Sequence, residues 1–422
     1  MAMKQKQTKI ITTLIAGLII VLITAFSRQP GSKEPFDAFA NRYDSLFIKA
    51  YEERDIAGYN KLLVTYQARY EKLDSAAKAE YKPGLASSYY NFACLYSLQK
   101  QKDKALDYLE KSIRAGYMDY SHINVDTDLD YIRKEPRYFT LTEPLRLIAD
   151  YLFILKNSGG YNNKEDAALP SFTYESMTDS QLVTLRKTFR LDSIAGTGNE
   201  LSRLLNLMHW IHNLVPHDGS NPNPTVRNAL SLVRQCKRED RGLNCRGLAI
   251  VLNEVYLSMG YSSRLLTCLP KDSLGIDNDC HVITVVYSQM LQKWVWLDPT
   301  WDAYVMDENG NMLSVEEVRE RLVDDRPLIL NPDANWNHKS SATRETYLKS
   351  YMAKNLYMLE SPVRSCYNME TWGQTAAVSY ILLLPLGDFR QEPGKTERNN
   401  NGTTIITYKT NNEKLFWAAP AN

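Results

Sequence analysis

One helix near the middle of the chain is apolar on almost every side, and this feature constrains the fold most. It lies in the segment RGLNCRGLAIVLNEVYLSMGY, residues 241–261. Its main apolar stripe consists of Leu248, Leu252, Val255 and Met259. A helix of this kind is stable only when other elements cover its faces. Asn244 is a preferred N-cap and Gly260 fits the C-terminal cap, so the helix is predicted to begin at Cys245.

The position of Cys245 at the start of this helix has a chemical consequence. The N-terminal end of a helix carries partial positive charge, which favours the thiolate and lowers the pKa of a cysteine there. Reactive cysteines need such a setting, whereas structural cysteines do not. The alternative, that Cys245 only packs in a core, stays open from this feature alone.

Two β-type runs follow the helix and carry a histidine and an aspartate. They are residues 281–287 and 292–298, separated by a short polar break. If a four-residue loop, 288–291, joins them as an antiparallel hairpin, His281 falls directly opposite Asp298. Directly opposed side chains have Cβ atoms about 5 Å apart, close enough for a carboxylate to orient an imidazole. We therefore predict a contact between these two side chains.

A cysteine, a histidine and an aspartate in this arrangement meet the requirements of nucleophilic catalysis. The histidine activates the thiol, and the carboxylate fixes the tautomer of the histidine. The pieces that carry them are RGLNCRGLA, LSMGYSSRLL, HVITVVY and WVWLDPT. In this order they resemble the transglutaminase-like superfamily of papain-like cysteine enzymes, over about residues 200–305. The resemblance implies that Cys245 is the nucleophile, His281 the base and Asp298 the orienting acid.

The resemblance also implies a reaction. Enzymes of this kind form a thioester from a carboxamide or peptide; water then makes the enzyme a peptidase or amidase, and an amine makes it a transferase. We expect neither a cofactor nor a metal, because the chain lacks an acidic cluster like the calcium sites of the animal enzymes. Asn244 and Arg246 beside the cysteine depart from the family pattern, as does Gly242, which stands three residues before the cysteine rather than two.

Net charge and fold leave the partner class partly open. Lys plus Arg is 50 and Asp plus Glu is 49, so charge gives no indication of a nucleic-acid partner. A protein, peptide or other amide substrate is expected. The alternative is a catalytically silent adaptor that keeps the fold and binds a protein partner with its N-terminal helices. The intact Cys245, His281 and Asp298 favour the enzyme.

The first part of the chain has the pattern of an all-α domain, residues 35–155. A helix break is predicted at residues 82–84, and the helical hairpin YYNFACLYSLQKQKDKALDYLEKSIRAG follows it. Its small residues are Ala93, Ala105 and Ser112. Their spacing resembles a tetratricopeptide repeat, in which small residues let two antiparallel helices pack closely. A peptide-binding groove and a packing or docking domain both stay open.

Residues 1–27 have the pattern of an export signal or membrane anchor. Three lysines precede an uncharged apolar stretch, residues 10–26, and Ala25-Phe26-Ser27 fits a small-x-small cleavage site. The stretch is near the lower length limit for spanning a bilayer, so cleavage and anchoring both stay open. We expect an exported protein, periplasmic or extracellular, that contacts a membrane only if this segment is retained.

The remaining chain divides into a core and an extension. After the loop-rich run NSGGYNNKEDAALPS, the catalytic core is predicted over residues 172–340. Residues 341–422 are a C-terminal extension with a β-hairpin signal, because Asn401-Gly402 precedes the β-type run 403–408. The expected fold class is α+β: a papain-like, transglutaminase-like core, with the cysteine-bearing helix packed on an antiparallel sheet, after the all-α tetratricopeptide-like domain.

The segment LMHWIHNLVPHDG holds residues with both a functional and a structural interpretation. Its histidines are His209, His212 and His217. The first two share a helix face, as metal ligands do, but no cysteine or carboxylate stands at ligand spacing, so ordinary helix-face histidines are preferred. Trp210 resembles an aromatic residue that family members place upstream to help the oxyanion hole, and a core tryptophan fits equally well.

The six cysteines are irregularly spaced and lack a CxxC pair, which indicates neither a disulfide framework nor a structural zinc site. Cys280 is expected to point to the strand face opposite His281 and to be buried. Trp294 and Trp296 share the face of Asp298, and they either wall a cleft or pack under the helix that bears Cys245.

Overall fold

The computed structural model describes residues 34–163, 169–271, 279–371, 373, 376–386, 388, 394–400 and 402–421. The predicted export segment, residues 1–27, lies outside these ranges. No helix within them is long and apolar enough to cross a membrane. The fold class is α+β, with a helical N-terminal part followed by helices and a mixed sheet.

Helices make up the N-terminal part of the described chain. They are α1 (Phe36–Glu52), α2 (Ile56–Tyr70), α3 (Ser75–Leu98), α4 (Lys102–Arg114), α5 (Tyr120–Val125), a 3-10 turn (Thr127–Leu129), α6 (Pro136–Ala149) and α7 (Tyr151–Lys156). Asp55 and Asp74 cap α2 and α3 by accepting hydrogen bonds from backbone N–H groups of the first turn. The buried faces of α1–α6 share one core rich in tyrosine and phenylalanine.

The helix break predicted at residues 82–84 is wrong, because α3 runs through Pro83. A proline removes one helical hydrogen bond and usually bends or ends a helix. Here tertiary packing outweighs that cost. Leu85 is buried just after the proline, and Tyr70 donates a hydrogen bond to the Lys78 carbonyl just before it, at 2.9 Å.

Helices α3 and α4 form a closely packed hairpin. Ala93 and Ala105 are fully buried, and the Ser112 hydroxyl donates to the Ala86 carbonyl across the helix pair at 2.9 Å. The small residues therefore lie at the contact, where larger side chains would separate the helices. The likeness to a tetratricopeptide repeat stays a prediction.

Helices and strands are interspersed after residue 156. The helices are α8 (Ser180–Phe189), α9 (Leu191–Ala195), α10 (Glu200–Leu214), α11 (Ala229–Glu239), α12 (Cys245–Ser258), α13 (Val315–Val323), α14 (Ala353–Asn355) and α15 (Glu413–Phe416), with a π-helix at Arg344–Met352. The strands are β1 (Thr173–Tyr174), β2 (Ser263–Leu269), β3 (His281–Ser288), β4 (Lys293–Leu297), β5 (Val305–Met306), β6 (Ile329–Leu330), β7 (Asn335–Trp336), β8 (Ser340–Ser341), β9 (Met358–Pro362), β10 (Arg364–Ser365), β11 (Ala377–Leu383), β12 (Gly394–Asn400) and β13 (Thr403–Thr410).

The main sheet, within the described residues, has seven strands in the order β12-β13-β11-β9-β2-β3-β4. It is mixed rather than the expected antiparallel sheet, because β11 and β13 run parallel while the other neighbours run antiparallel. Strands from both sides of residue 340 share it. β12 and β13 pair as a hairpin in which Asn400 faces Thr403, where the Asn-Gly signal lies in the sequence.

Helix α12 lies against one face of this sheet and is buried from residue 247 to residue 258. Val282 and Val286 of β3 share its core, and α8, α10 and α11 cover its other sides. Ile283 and Val285 point to the opposite face, where α13 and the π-helix pack. The all-round apolar pattern of α12 is therefore explained by cover on every side.

The pairing of β3 with β4 differs by two positions from the predicted register. Ser288 pairs with Lys293, so the four-residue loop begins one residue later than predicted. Each residue of β3 therefore faces a residue of β4 two positions beyond its predicted partner, and His281 is not directly opposite Asp298. The cause lies on α10, where the Glu200 carboxylate accepts hydrogen bonds from the Ser288 hydroxyl and from two backbone N–H groups of the loop. Because the shift is even, both side chains stay on one face.

A short parallel bridge joins the segment after α10 to the segment before α12. Leu243 N donates to the Pro216 carbonyl at 3.1 Å, and Asp218 N donates to the Leu243 carbonyl at 2.7 Å. A Cβ added to Gly242 would lie 2.3 Å from the Pro216 carbonyl oxygen and 2.7 Å from Asp218 Cβ. Only glycine fits between these two backbone segments.

We expect Gly242→Ala to lower the free energy of unfolding by about 1–3 kcal/mol, because the two segments must separate to admit the methyl group. Gly160→Ala is the matched control, since a Cβ there meets no atom within 4 Å. Urea titration followed by circular dichroism measures both variants. Equal unfolding free energies for the two would contradict the close approach at Gly242.

Candidate active site

Asn244 determines where α12 begins. Its side-chain oxygen accepts a hydrogen bond from Gly247 N at 3.1 Å, as expected of an N-cap. Asn223 makes two hydrogen bonds to this capping residue. Its side-chain amide donates to Asn244 Oδ1 at 2.6 Å, and its side-chain oxygen accepts from Asn244 N at 3.0 Å. Cys245 is the first helical residue, so its thiol lies at the positive end of the helix.

His281 and Asp298 make a buried contact. Nε2 of His281 lies 2.6 Å from Oδ2 of Asp298, and the two side chains are 1% and 0% exposed. Among the described residues Nδ1 of His281 has no hydrogen-bond partner, and the His281 ring is close enough to the Cys245 thiol to lower the pKa of that thiol. The structure thus brings the cysteine, the histidine and the aspartate together in one line of contacts, despite the shifted strand register.

Further donors hold the Asp298 carboxylate. Oδ1 accepts from Thr300 N at 2.8 Å and from Trp301 N at 3.4 Å, and Oδ2 accepts from the Tyr347 hydroxyl at 2.5 Å. Burial by itself would raise the pKa of this carboxyl. The charge of His281 and the hydrogen bonds outweigh burial and hold the pKa of Asp298 below its usual value. The group therefore remains a carboxylate.

Two imidazoles act on the thiol. Burial alone would raise the pKa of Cys245, but the nearby rings of His217 and His281 outweigh burial and lower that pKa to about 6. Burial would lower the pKa of His281, but Asp298 and the thiol raise it to about 10. Between these pH values the pair exists as a thiolate beside an imidazolium, the reactive form of a cysteine nucleophile.

Sequence reasoning missed the contact of His217 with the thiol, because it treated this histidine as one of an ordinary group. His217 follows α10 and is held by Asn337, which accepts from His217 N at 2.7 Å and donates to its carbonyl at 2.9 Å. Its ring lies 4.2 Å from the ring of Trp336. Residues far along the chain determine its position, so no local pattern indicates it.

Cys245 opens onto a cavity of about 540 Å³. Its aromatic walls are Trp301, Trp336 and Tyr351. The Tyr351 ring lies 5.2 Å from the ring of His281, and the two tryptophan rings lie 4.8 Å apart. A concave, largely apolar site with a few polar groups at its centre is typical of a small ligand or a single side chain.

The π-helix at Arg344–Met352 supplies two tyrosines to the site. Tyr347 donates to Asp298, and Tyr351 walls the cavity. Turns of π-helix are rare and frequently occur at functional sites. This segment lies beyond residue 340, the end expected for the core, and no motif in the sequence points to these tyrosines.

Four residues singled out in the sequence are placed as follows. Cys280 lines the cavity and is only partly buried, so the expectation of a buried residue was wrong; it precedes β3, where strand alternation does not apply. Burial raises the pKa of its thiol. Trp294 and Trp296 pack on the face of the sheet opposite α12, so they neither line the cavity nor pack under the helix that bears Cys245, and both expectations were wrong. Trp210 lies against Phe189, with ring centroids 5.3 Å apart, away from the described cavity lining.

The two histidines that share a helix face have separate partners. His209 Nδ1 lies 2.6 Å from the Asp302 carboxylate. His212 contacts the Pro299 carbonyl and the Asn335 side chain, each at 3.1 Å. Across the part of the chain that the structure describes, no three His, Cys, Asp or Glu side chains converge as a metal site requires.

Comparisons with known proteins give two partial likenesses. No family model matches the chain. It is 32% identical over 107 residues to a chloroplastic protein of Arabidopsis thaliana, a match that covers 24% of this chain and 31% of that protein, so the chain spans under a third of its relative. A solved structure of a proposed cysteine protease from Cytophaga hutchinsonii matches 31% of this chain and 40% of that chain, with 16% identity and a TM-score of 0.22. Neither match assigns an activity.

We expect the rate at which iodoacetamide alkylates Cys245 to rise with pH and to reach half its maximum near pH 6, because the thiolate is the reacting form and the pKa of Cys245 is about 6. His217→Ala removes one donor to the thiolate and should move this midpoint to higher pH. Mass spectrometry of peptides after timed labelling measures the rates.

Cys366 is the internal reference for this measurement, since burial raises its pKa to about 11 and its labelling should remain slow throughout. A midpoint at the usual cysteine value, unchanged by His217→Ala, would contradict the double contact with imidazoles.

Proposed function

We propose that this protein is a cysteine enzyme with a transglutaminase-like core that forms a thioester from an amide or peptide substrate. The observation that carries the proposal is the line of contacts from the Cys245 thiol through His281 to Asp298. His281 and Asp298 are buried, and Asp298 is held by further donors. Cys245 is partly buried and opens onto a cavity large enough for a carboxamide side chain. A thiol with a pKa of about 6 is ionised at neutral pH.

In the first step, the Cys245 thiolate attacks the carbonyl carbon of the substrate amide, and an S–C bond forms. His281 gives its Nδ1 proton to the leaving nitrogen, the C–N bond breaks, and an amine or ammonia departs. Asp298 remains a carboxylate, keeps the other ring nitrogen protonated and stabilises the imidazolium. The product is an acyl-enzyme thioester.

Negative charge develops on the carbonyl oxygen during this attack. The backbone N–H of Cys245 is one donor for it, because the first N–H groups of a helix have no partner within the helix. His217 is the second donor in our proposal, in place of Trp210. His217 and Cys245 both line the cavity, and Nδ1 of His217 is buried with no hydrogen-bond partner among the described residues.

Water is the proposed acceptor of the acyl group. The cavity lining includes Asn223 and Asn244 beside the thiol, and polar groups of this kind hold water where amine transfer requires its exclusion. Water adds to the thioester carbon, gives a proton to His281, and the thiolate leaves. The second product is a carboxylic acid. Transfer to an amine is the competing outcome.

The N-terminal parts of the chain fit the proposed enzyme as delivery and docking elements. We propose that residues 1–27 direct export, which three lysines before an apolar stretch support. Helices α1–α7, with their tetratricopeptide-like hairpin, then provide a docking surface for a protein partner or substrate. A silent adaptor would use the same surface without the chemistry.

We expect the purified protein to hydrolyse a glutamine-containing peptide, in the presence of excess primary amine and without calcium, to the carboxylic acid. Mass spectrometry separates this product from the amine adduct. Cys245→Ala is the control and should give neither product. A dominant amine adduct that depends on Cys245 would overturn hydrolysis and keep the nucleophile, whereas a Cys245 inert towards both peptide and iodoacetamide would favour the silent adaptor.

We expect Asp298→Asn to lower turnover by about 10⁴-fold, by analogy with the serine triad, because the amide holds the wrong tautomer of His281. Tyr347→Phe removes one hydrogen bond to the carboxylate and should lower turnover by about tenfold. Both are measured as kcat on the same peptide, with circular dichroism as a check of folding. Near-normal turnover of Asp298→Asn would remove this residue from the mechanism.

A further inference from the structure

The HxxH pair of α10, His209 and His212, contacts one short turn beside the reactive site. This turn is residues 299–302, between Asp298 and Ala303. Two backbone hydrogen bonds close it, because Asp298 N donates to the Ala303 carbonyl at 2.9 Å and Ala303 N donates to the Asp298 carbonyl at 3.0 Å. Thioester formation uses neither histidine, so their contacts with the turn need another explanation.

The turn holds the carboxylate of the reactive trio. Thr300 N and Trp301 N both belong to it, and they donate to Oδ1 of Asp298 at 2.8 and 3.4 Å. The Trp301 side chain also walls the cavity. The position of the turn therefore determines how Asp298 is held and, through Asp298, how His281 is oriented.

The two histidines hold the two ends of the turn. His212 Nδ1 lies 3.1 Å from the Pro299 carbonyl, at the first residue of the turn, and it is the donor because a carbonyl oxygen only accepts. His209 Nδ1 lies 2.6 Å from Asp302 Oδ1, at the last residue. Residues three apart share one face of a helix. The HxxH spacing therefore matches the spacing of Pro299 and Asp302 along the turn.

The contact between His209 and Asp302 is the stronger of the two. The hydrogen bond and the charge of Asp302 outweigh burial and raise the pKa of His209. Hydrogen bonds between charged groups are stronger than those between neutral groups. The Asp302 side chain is 9% exposed, so water competes little for its carboxylate.

We propose that His209 and His212 are positioning residues that keep this turn, and with it two N–H donors, on the Asp298 carboxylate. Neither histidine is among the described residues that line the cavity, so both act through Asp298 and His281. This inference rests on the proposed function, because it names further residues that serve the same site.

A role in stability alone accounts for less of the arrangement. Helix α10 is already held by apolar packing in the core that it shares with α12, through Leu204, Leu207, Met208 and Ile211. Its attachment to the core does not require polar contacts. Two imidazoles at opposite ends of one turn are explained when the position of that turn matters for the reaction.

Alkylation of Cys245 by iodoacetamide tests this inference without a substrate. Asp298 stabilises the imidazolium of His281, and the imidazolium favours the thiolate. A loosened turn should therefore move the pH midpoint of alkylation upward. We expect His209→Ala to raise this midpoint by roughly half a pH unit and to lower kcat for the glutamine-containing peptide by roughly fivefold. A loss of stability alone would leave both quantities unchanged in the folded protein.

Three further variants test the contact from both sides. Asp302→Gly removes the same hydrogen bond and suits the φ of +50° at this position, so it should reproduce the effect. The double variant His209→Ala/Asp302→Gly should exceed neither single change, because both remove one contact. His209→Asn keeps an N–H group at the place of Nδ1 and should restore most of the midpoint and of kcat.

His122→Ala is the matched control. It breaks another histidine–aspartate pair, in which His122 Nε2 lies 3.5 Å from Asp126 Oδ2 in the N-terminal helical part. We expect it to leave the alkylation midpoint and kcat unchanged.

The outcomes separate this inference from the proposed function. If His209→Ala and Asp302→Gly keep the wild-type midpoint, the route through Asp298 is overturned and the thiol chemistry stands. Additive effects of the two changes would also overturn it. If wild-type Cys245 has an ordinary cysteine midpoint and the peptide is not turned over, the proposed function fails and the inference fails with it. If His209→Ala does not fold, His209→Asn is compared with Asp302→Gly, and equal midpoints overturn the inference.

Discussion

The buried carboxylate of Asp298 is the constraint on which the arrangement of the site depends. A charge removed from water is tolerated only when neighbouring groups satisfy it. Its donors come from β3, from the turn after β4 and from the π-helix. Because His281 and Tyr347 stand 17 and 49 residues from Asp298 in the chain, one charge holds β3, the turn after β4 and the π-helix in a single relative position. The orientation of His281 follows from that requirement.

Helix α12 determines the other half of the geometry. Its faces are covered on all sides, so it cannot slide along its axis without exposing apolar surface. Asn223 and Asn244 fix its first turn, and a Cβ on Gly247 would lie 2.8 Å from the Asn223 side chain. The Cys245 thiol is therefore placed by packing and capping together, before any contact with a histidine is considered.

Features that depend on neighbouring residues could be predicted from the sequence, and features that depend on distant ones could not. A capping residue and an apolar pattern indicated the start of α12, and strand alternation put His281 and Asp298 on one face. The register was wrong because Glu200, on another helix, holds the β3–β4 loop. His217 and Tyr347 were missed for the same reason, since each reaches the site through contacts with remote segments.

The strand order has a consequence for the synthesis of the chain. β2, β3 and β4 are made first, whereas β9, which covers the free side of β2, is made after the π-helix. A nascent chain that ends near residue 340 presents β2 as an unpaired edge, which is prone to non-native pairing. It also lacks Tyr347, so the Asp298 carboxylate is incompletely satisfied. The sheet and the reactive site are therefore completed by the same late segment of the chain.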